Sequence, residues 1–158
     1  MIGKNSVVAI GVFVAAAFVG LLYVLVSGEF SGSILEDRSE ATVQIGDAVL
    51  FVEIRDTPEG RVKGLSGRTK LPSDRGMLFV HEEPGMHGYW MKDMRFPVDI
   101  LWIDEDLRVV ETARNVSPES YPTSFRPRSN ALYALETNAG WANAHNVTKG
   151  SKAVLYIP

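Results

Sequence analysis

The 158-residue chain has no cysteine, so it holds no disulfide, thiolate nucleophile or sulfur-ligated metal centre. It also lacks an excess of positive charge, with 16 Lys and Arg against 19 Asp and Glu and a net charge of −3. That balance offers no electrostatic footprint for nucleic acid. Several catalytic signatures are missing too. Ser66, Ser73 and Ser117 stand outside any G-x-S-x-G turn, which argues against a serine hydrolase. Gly64, Gly67 and Gly76 are scattered rather than grouped in a phosphate-binding loop. His81, Glu82 and His87 do not have the spacing of HExxH or a comparable ligand set. Neither a metal nor a cofactor is expected.

What is present begins with a long uncharged run from Ser6 to Val26. At a rise of about 1.5 Å per residue, such a helix crosses the roughly 30 Å hydrocarbon core of a bilayer. The run exceeds the apolar region of a cleaved signal peptide, and Ala15, Ala16 and Ala17 lie in its middle rather than after it. Residues 1–28 are therefore expected to form a cytoplasmic stub and an uncleaved transmembrane anchor. Lys4 before the span and Glu29, Glu36 and Asp37 after it fit a cytoplasmic N-terminus and an extracytoplasmic C-terminal domain. Residues 29–40 are small, polar and charged, as in a flexible linker.

Residues 41–158 then read as one domain. Alternation over 41–56 predicts two strands joined at Gly46-Asp47. Thr57 as cap, Pro58 at the first helical position and Glu59 in the first turn predict a short helix ending at Gly64 or Gly67, with Val62 and Leu65 turned inward. Met77 to His81 predicts a short strand, and the stretch from His87 to Ile103 two strands interrupted at Pro97, which cannot donate to a ladder. A turn at 104–108 leads to a strand over 108–116, and three prolines mark 117–130 as a long loop. A strand over 131–140, a short helix from Trp141 and a closing strand over 152–157 complete the pattern. The expected class is mainly β (α+β by a strict count): a small antiparallel barrel-like or rolled sheet with two short helices, preceded by the transmembrane helix.

The stretch GMHGYWMKDMRFPVDILWI, residues 85–103, carries an unusual density of polar groups among aromatic ones. As an extended chain it puts His87, Tyr89, Met91 and Asp93 on one face and Trp90, Lys92 and Met94 on the other. Asp99 shares a face with Leu101 and Ile103, and a carboxylate so placed requires a partner, because an unpaired buried charge costs several kcal/mol. Two readings stay open. Asp99 pairs with Lys92 or Arg68 for the sake of the fold, or these groups line a pocket. Glu136, between Leu135 and Thr137 in an alternating strand, faces the same choice. His87 is the most reactive candidate, since imidazole exchanges a proton near pH 7, although a hydrogen-bonded loop histidine is the plainer account. Trp90, Trp102 and Trp141 fit a core or an apolar cleft. Asn146-Val147-Thr148 is a glycosylation sequon.

Three blocks, VEIRDTPEGRVKGLSGRTKLPSDRGMLFV, HGYWMKDMRFPVDILWIDEDLRVV and ALYALETNAGWANAHNVTKG, resemble in order the signature segments of the DUF192 (UPF0127) family. The W-M-K, P-V-D-I and L-E-x-x-x-G-W elements carry the resemblance, through Arg68, Gly76, Met77, His87, Trp90, Met91, Lys92, Pro97, Asp99, Glu136, Gly140 and Trp141. It implies a small β-rich domain, often behind a signal or anchor, in a family without an established biochemical activity. The expected ligand-binding set is Arg68, His87, Trp90, Lys92, Asp99 and Glu136, with Lys92 and Arg68 holding a small anionic ligand. The expected function is a membrane-tethered module binding that ligand or an envelope protein. One alternative is a hydrolase or lyase in which His87 acts with Asp99 or Glu136, and another is an accessory subunit of an envelope complex.

Overall fold

A computed structural model describes residues 41–158; the expected anchor and linker, residues 1–40, lie outside the described residues. The elements are β1 (Thr42–Ile45), β2 (Ala48–Arg55), α1 (Pro58–Lys63), β3 (Arg75–Gly85), β4 (Val98–Ile103), β5 (Val109–Val116), β6 (Ala131–Asn138), α2 (Trp141–Ala144) and β7 (Ala153–Tyr156), with a 3₁₀ turn at Pro118–Ser120. They form one seven-stranded sheet in the order β5-β4-β6-β3-β2-β1-β7. Its two outer strands meet at one end, where Val109 N–H donates to the Ser151 carbonyl at 2.9 Å and Gly150 N–H to the Val109 carbonyl at 2.7 Å. The sheet is thus rolled, as expected.

One pairing departs from the expected antiparallel pattern. β2 and β3 run parallel, because α1 and the loop after it carry the chain back to the starting end of β2, whereas a tight hairpin reverses it. The hairpin from β1 to β2 matches its prediction, with Ile45 opposite Ala48 across Gly46 and Asp47. So does the start of α1, where the Thr57 side chain accepts from Gly60 N–H at 3.1 Å. Gly64 caps the helix with φ +45°, a conformation that a Cβ makes costly.

β4 is buried at every position, so the sheet is covered on both faces. Leu101 and Ile103 join a core with Val43, Leu50, Leu78, Leu135 and Trp141. Val98, Ile100 and Trp102 join a second core with Leu65, Met77, Phe79, Tyr89 and Met91. Leu65 stands just after α1, and Met94 and Phe96 of the segment 86–97 pack against this second core together with Phe125. The segment 86–97 is a loop and not the expected strand. Among the described residues its one ladder contact is the bridge from Tyr89 to Phe125, made by reciprocal backbone bonds of 2.9 and 2.8 Å. Gly88 permits that approach, since a Cβ there would stand 2.6 Å from Ser124 Oγ.

Candidate functional site

Strand register decides which acids face which core, because residues directly opposite each other project to the same side. Asp99 pairs with Thr137, and Ile100 with Glu136. Glu136 also pairs with Met77, and Met77 with Glu53. Glu53, Met77, Glu136 and Ile100 therefore form one row across four strands on the face of the second core. Asp99 lies on the opposite face.

Asp99 is 0 % exposed. Its Oδ1 accepts Asn115 N–H at 2.8 Å and its Oδ2 accepts Ala142 N–H at 2.9 Å. Neither Lys92 nor Arg68 is its partner. The carboxylate ties the start of α2 and the end of β5 to β4. Asn115 has φ +50° there, in a strand whose pairing with β4 shifts register between Val98 and Ile100. Asp99 thus serves the fold, through backbone amides in place of the expected cation.

Arg68 is also occupied elsewhere. It grips Glu53 with both terminal nitrogens, at 2.5 and 2.7 Å, while Arg55 reaches Glu53 Oε2 at 2.9 Å. The Arg68 guanidinium holds the Glu53 carboxyl down at about 2. The Lys92 side chain is exposed, and among the described residues it is the Lys92 carbonyl that has a partner, the Ser66 hydroxyl at 2.8 Å. With the bond from Gly67 N–H to the Asp93 carbonyl at 2.8 Å, this joins the end of α1 to the 86–97 loop.

Between α1 and that loop a cleft of about 340 Å³ opens. Its apolar walls include Leu65, Phe79, Tyr89, Trp90 and Met94, and its polar groups are Arg61, Lys63, Ser66, His81 and Glu136. Trp90 is 48 % exposed at its edge. Val62, expected to pack inward, is 70 % exposed and forms part of the same edge, because the helix covers a cleft and not a filled core. Two of the six expected ligand-binding residues, Trp90 and Glu136, line the cleft. His87 stands behind it, stacked on His81 with ring centroids 3.4 Å apart.

Glu136 is 5 % exposed, and no hydrogen-bond or ion-pair partner for its carboxyl is found among the described residues. Burial alone pushes this group up to about 8, so it is largely protonated at neutral pH. Beside it, Tyr89 is raised far above its ordinary range, by burial first and by the Glu136 charge second. The Tyr89 hydroxyl and His81 Nε2 share a hydrogen bond of 2.9 Å. Burial, then the neighbouring His87 and Arg61, lowers His81 to about 4. The cleft thus holds an acid and an imidazole that are both mainly neutral near pH 7. His87 Nε2 bonds the Glu83 carbonyl at 2.9 Å and so carries its proton there, and the His87 carbonyl accepts the Trp102 indole N–H at 2.9 Å. That bond pins the loop to β4.

Sequence reasoning overlooked His81 as part of this site, having weighed it only as a metal ligand. The available signal was its place on a strand at i+4 from Met77, on the face that carries Phe79 and Met77 alternately. Among the described residues, no group of three or more His, Asp or Glu side chains is arranged to hold a metal ion.

Comparison with known proteins places this geometry in a lineage. Residues 41–155 match the model of DUF192, described as an uncharacterized ACR. The chain belongs to the DUF192 family. A protein of unknown function from Novosphingobium aromaticivorans DSM 12444 is similar in structure, with 31 % identity and a TM-score of 0.67 over 73 % of this chain and 83 % of that one. A Sinorhizobium meliloti 1021 protein, provisionally described as a transcription regulator, has 30 % identity and a TM-score of 0.69 over 73 % of this chain and 92 % of that one. A search of curated proteins finds no match. The DUF192 match spans both cores and the whole cleft.

Proposed function

We propose that the DUF192 domain of this chain is a small-ligand-binding module, with the cleft between α1 and the 86–97 loop as its site. The observation that carries this reading is Glu136: a carboxyl only 5 % exposed, with no bonding partner among the described residues, lining an aromatic-walled concavity. Burying such a group costs free energy unless something bonds to it, and a binding pocket typically combines apolar walls with a few polar groups. The apolar run at residues 6–26 supports a membrane-held chain whose domain lies outside the cytoplasm. The regulator description of the Sinorhizobium relative would imply nucleic-acid binding, for which the net charge of −3 gives no support.

The test is a thermal-shift screen of the purified full chain against amines, acids, sugars, peptides and nucleotides. A ligand that raises the melting temperature and is weakened by Trp90→Ala supports the cleft. No shift with any compound class refutes the small-molecule reading.

A second reading, an enzyme, has one observation in its favour: a buried carboxyl and an imidazole, Glu136 and His81, line one cleft, and such groups are the raw material of acid–base catalysis. Glu136 would then act with His81 or His87, and Asp99 would take no part. This reading requires turnover that Glu136→Gln removes.

A further inference from the structure

Glu53 and Glu136 stand on one row of one sheet face with Met77 between them, which places them about 10 Å apart. Glu53 shows what a carboxyl on this face does when cations are in reach: Arg68 binds both its oxygens and Arg55 one of them. Glu136 is the more deeply buried of the two, yet no cation is bonded to it among the described residues. The surrounding cations have other roles. From α1, Arg61 donates to the Asp56 and Val80 carbonyls and to Glu82, and Lys63 stands at the cleft's edge. From β3, His81 bonds Tyr89 and Arg75 lies over the Phe51 ring, 5.2 Å from its centroid. From β2 comes Glu53 with its two arginines, from β4 only Ile100, and from the 86–97 loop Tyr89.

With Arg61 and His81 already bonded elsewhere, what the cleft offers a ligand besides Lys63 and Ser66 is the Glu136 carboxyl and three aromatic side chains, Phe79, Tyr89 and Trp90. Aromatic faces attract cations, most strongly where water is excluded, and a carboxylate supplies the counter-charge. We propose that the cleft takes a ligand whose buried end is a protonated amine on an apolar or aromatic body, the ammonium pairing with Glu136 and the body lying against Trp90 and Met94. This deepens the binding reading above and rests on it. An acidic ligand end would instead need a free cation, and of the two in the cleft lining Arg61 is already bonded to the Asp56 and Val80 carbonyls and to Glu82, while Lys63 is exposed to solvent.

The proton balance follows from the empty state. The Glu136 carboxyl holds its proton, the ammonium brings its own, and forming the pair sends the carboxyl proton to solvent. Binding therefore releases one proton and strengthens with pH. With the carboxyl titrating at about 8, its ionised fraction, and with it the amine affinity, rises about 50-fold between pH 6 and pH 8.

The experiment is calorimetric titration of the full chain with phenethylamine, and with phenylpropanoate and phenylethanol as probes of similar body. The expected result is preference for the amine, release of close to one proton per ligand at pH 6 to 7 measured in two buffers of different ionisation enthalpy, and the rise in affinity with pH. Glu136→Gln should lose both the proton release and at least tenfold of the amine affinity at pH 8, whereas Trp90→Ala should weaken all three probes and retain the proton release. Stronger binding of the acid or the alcohol overturns the amine inference and leaves the cleft as a binding site. Amine binding unaltered by Glu136→Gln also overturns it. Failure of all three probes overturns it as well, while a hit elsewhere in the broader screen keeps the binding reading alive.

Discussion

Glu136 makes the ligand-free protein pay for its cleft in a pH-dependent way, and the size of the effect follows from the structure. In the unfolded chain its carboxyl titrates near 4.5, and in the folded chain at about 8. The folded state therefore binds the proton more tightly, and stability falls as pH rises through the interval between those values. His81 works in the opposite direction. Its folded value of about 4 lies below the ordinary 6.5, so the unfolded state takes up the proton first and stability rises with pH until about 6.5. The two effects oppose each other below that point. Between pH 6.5 and pH 8 Glu136 acts without this opposition, over about 1.5 pH units at about 1.36 kcal/mol each, or about 2 kcal/mol. Urea denaturation of the ligand-free full chain at half-unit steps should show that decline, with the slope of the transition unchanged. Glu136→Gln keeps the shape and removes the titration, so its stability should be nearly level over the same interval and exceed that of the parent at pH 8. Parallel pH profiles for the two proteins would refute the claim that this carboxyl is buried without a partner.

Two further outcomes separate the structural acids from the cleft. Asp99→Ala leaves the buried Ala142 amide and the part-buried Asn115 amide without an acceptor; it should cost about 2 to 4 kcal/mol by urea denaturation, while amine affinity at temperatures where the variant is folded stays within twofold. Arg68→Ala releases Glu53, which then titrates closer to its ordinary 4.5 than to about 2. The pair is part-exposed, so the loss near pH 7 should be at most about 1 kcal/mol. Because the pair's contribution is present above pH 4.5 and fades as pH falls toward 2, the variant and parent should converge in acid.

Much of the fold was legible because local chemistry and tertiary structure agree. The β1–β2 hairpin, the capped start of α1, the strands β5, β6 and β7 and the helical turn at Trp141 all follow from alternation, turn residues and caps. The 86–97 loop was misread for a physical reason. Its alternation of buried Tyr89 and Met91 with exposed Trp90 and Lys92 imitates a strand, yet that pattern arises from a loop lying across a core and held by side chains such as the Trp102 indole. The parallel β2–β3 pairing was invisible because antiparallel and parallel strands carry the same two-residue period, and only the crossover through α1 distinguishes them.

The site was half legible for a reason that reaches beyond this chain. Asp99 and Glu136 look alike in sequence, each a lone acid in an apolar strand, and each proves to be buried. Alternation orders residues within a strand, but it does not relate the face of one strand to the face of another. Register does, and here it sends Asp99 to the core that α2 closes and Glu136 to the core that α1 leaves open. On the first face, backbone amides at the start of α2 and the end of β5 point inward and satisfy the carboxylate. On the second, α1 and the 86–97 loop are tied to each other through Ser66 and Gly67 and span the space without filling it, so among the described residues no group bonds the Glu136 carboxyl. A buried acid becomes a site when the element above it arches over a cleft instead of packing down, and that condition lies in how α1 and the loop are joined, not in the strand that bears the acid.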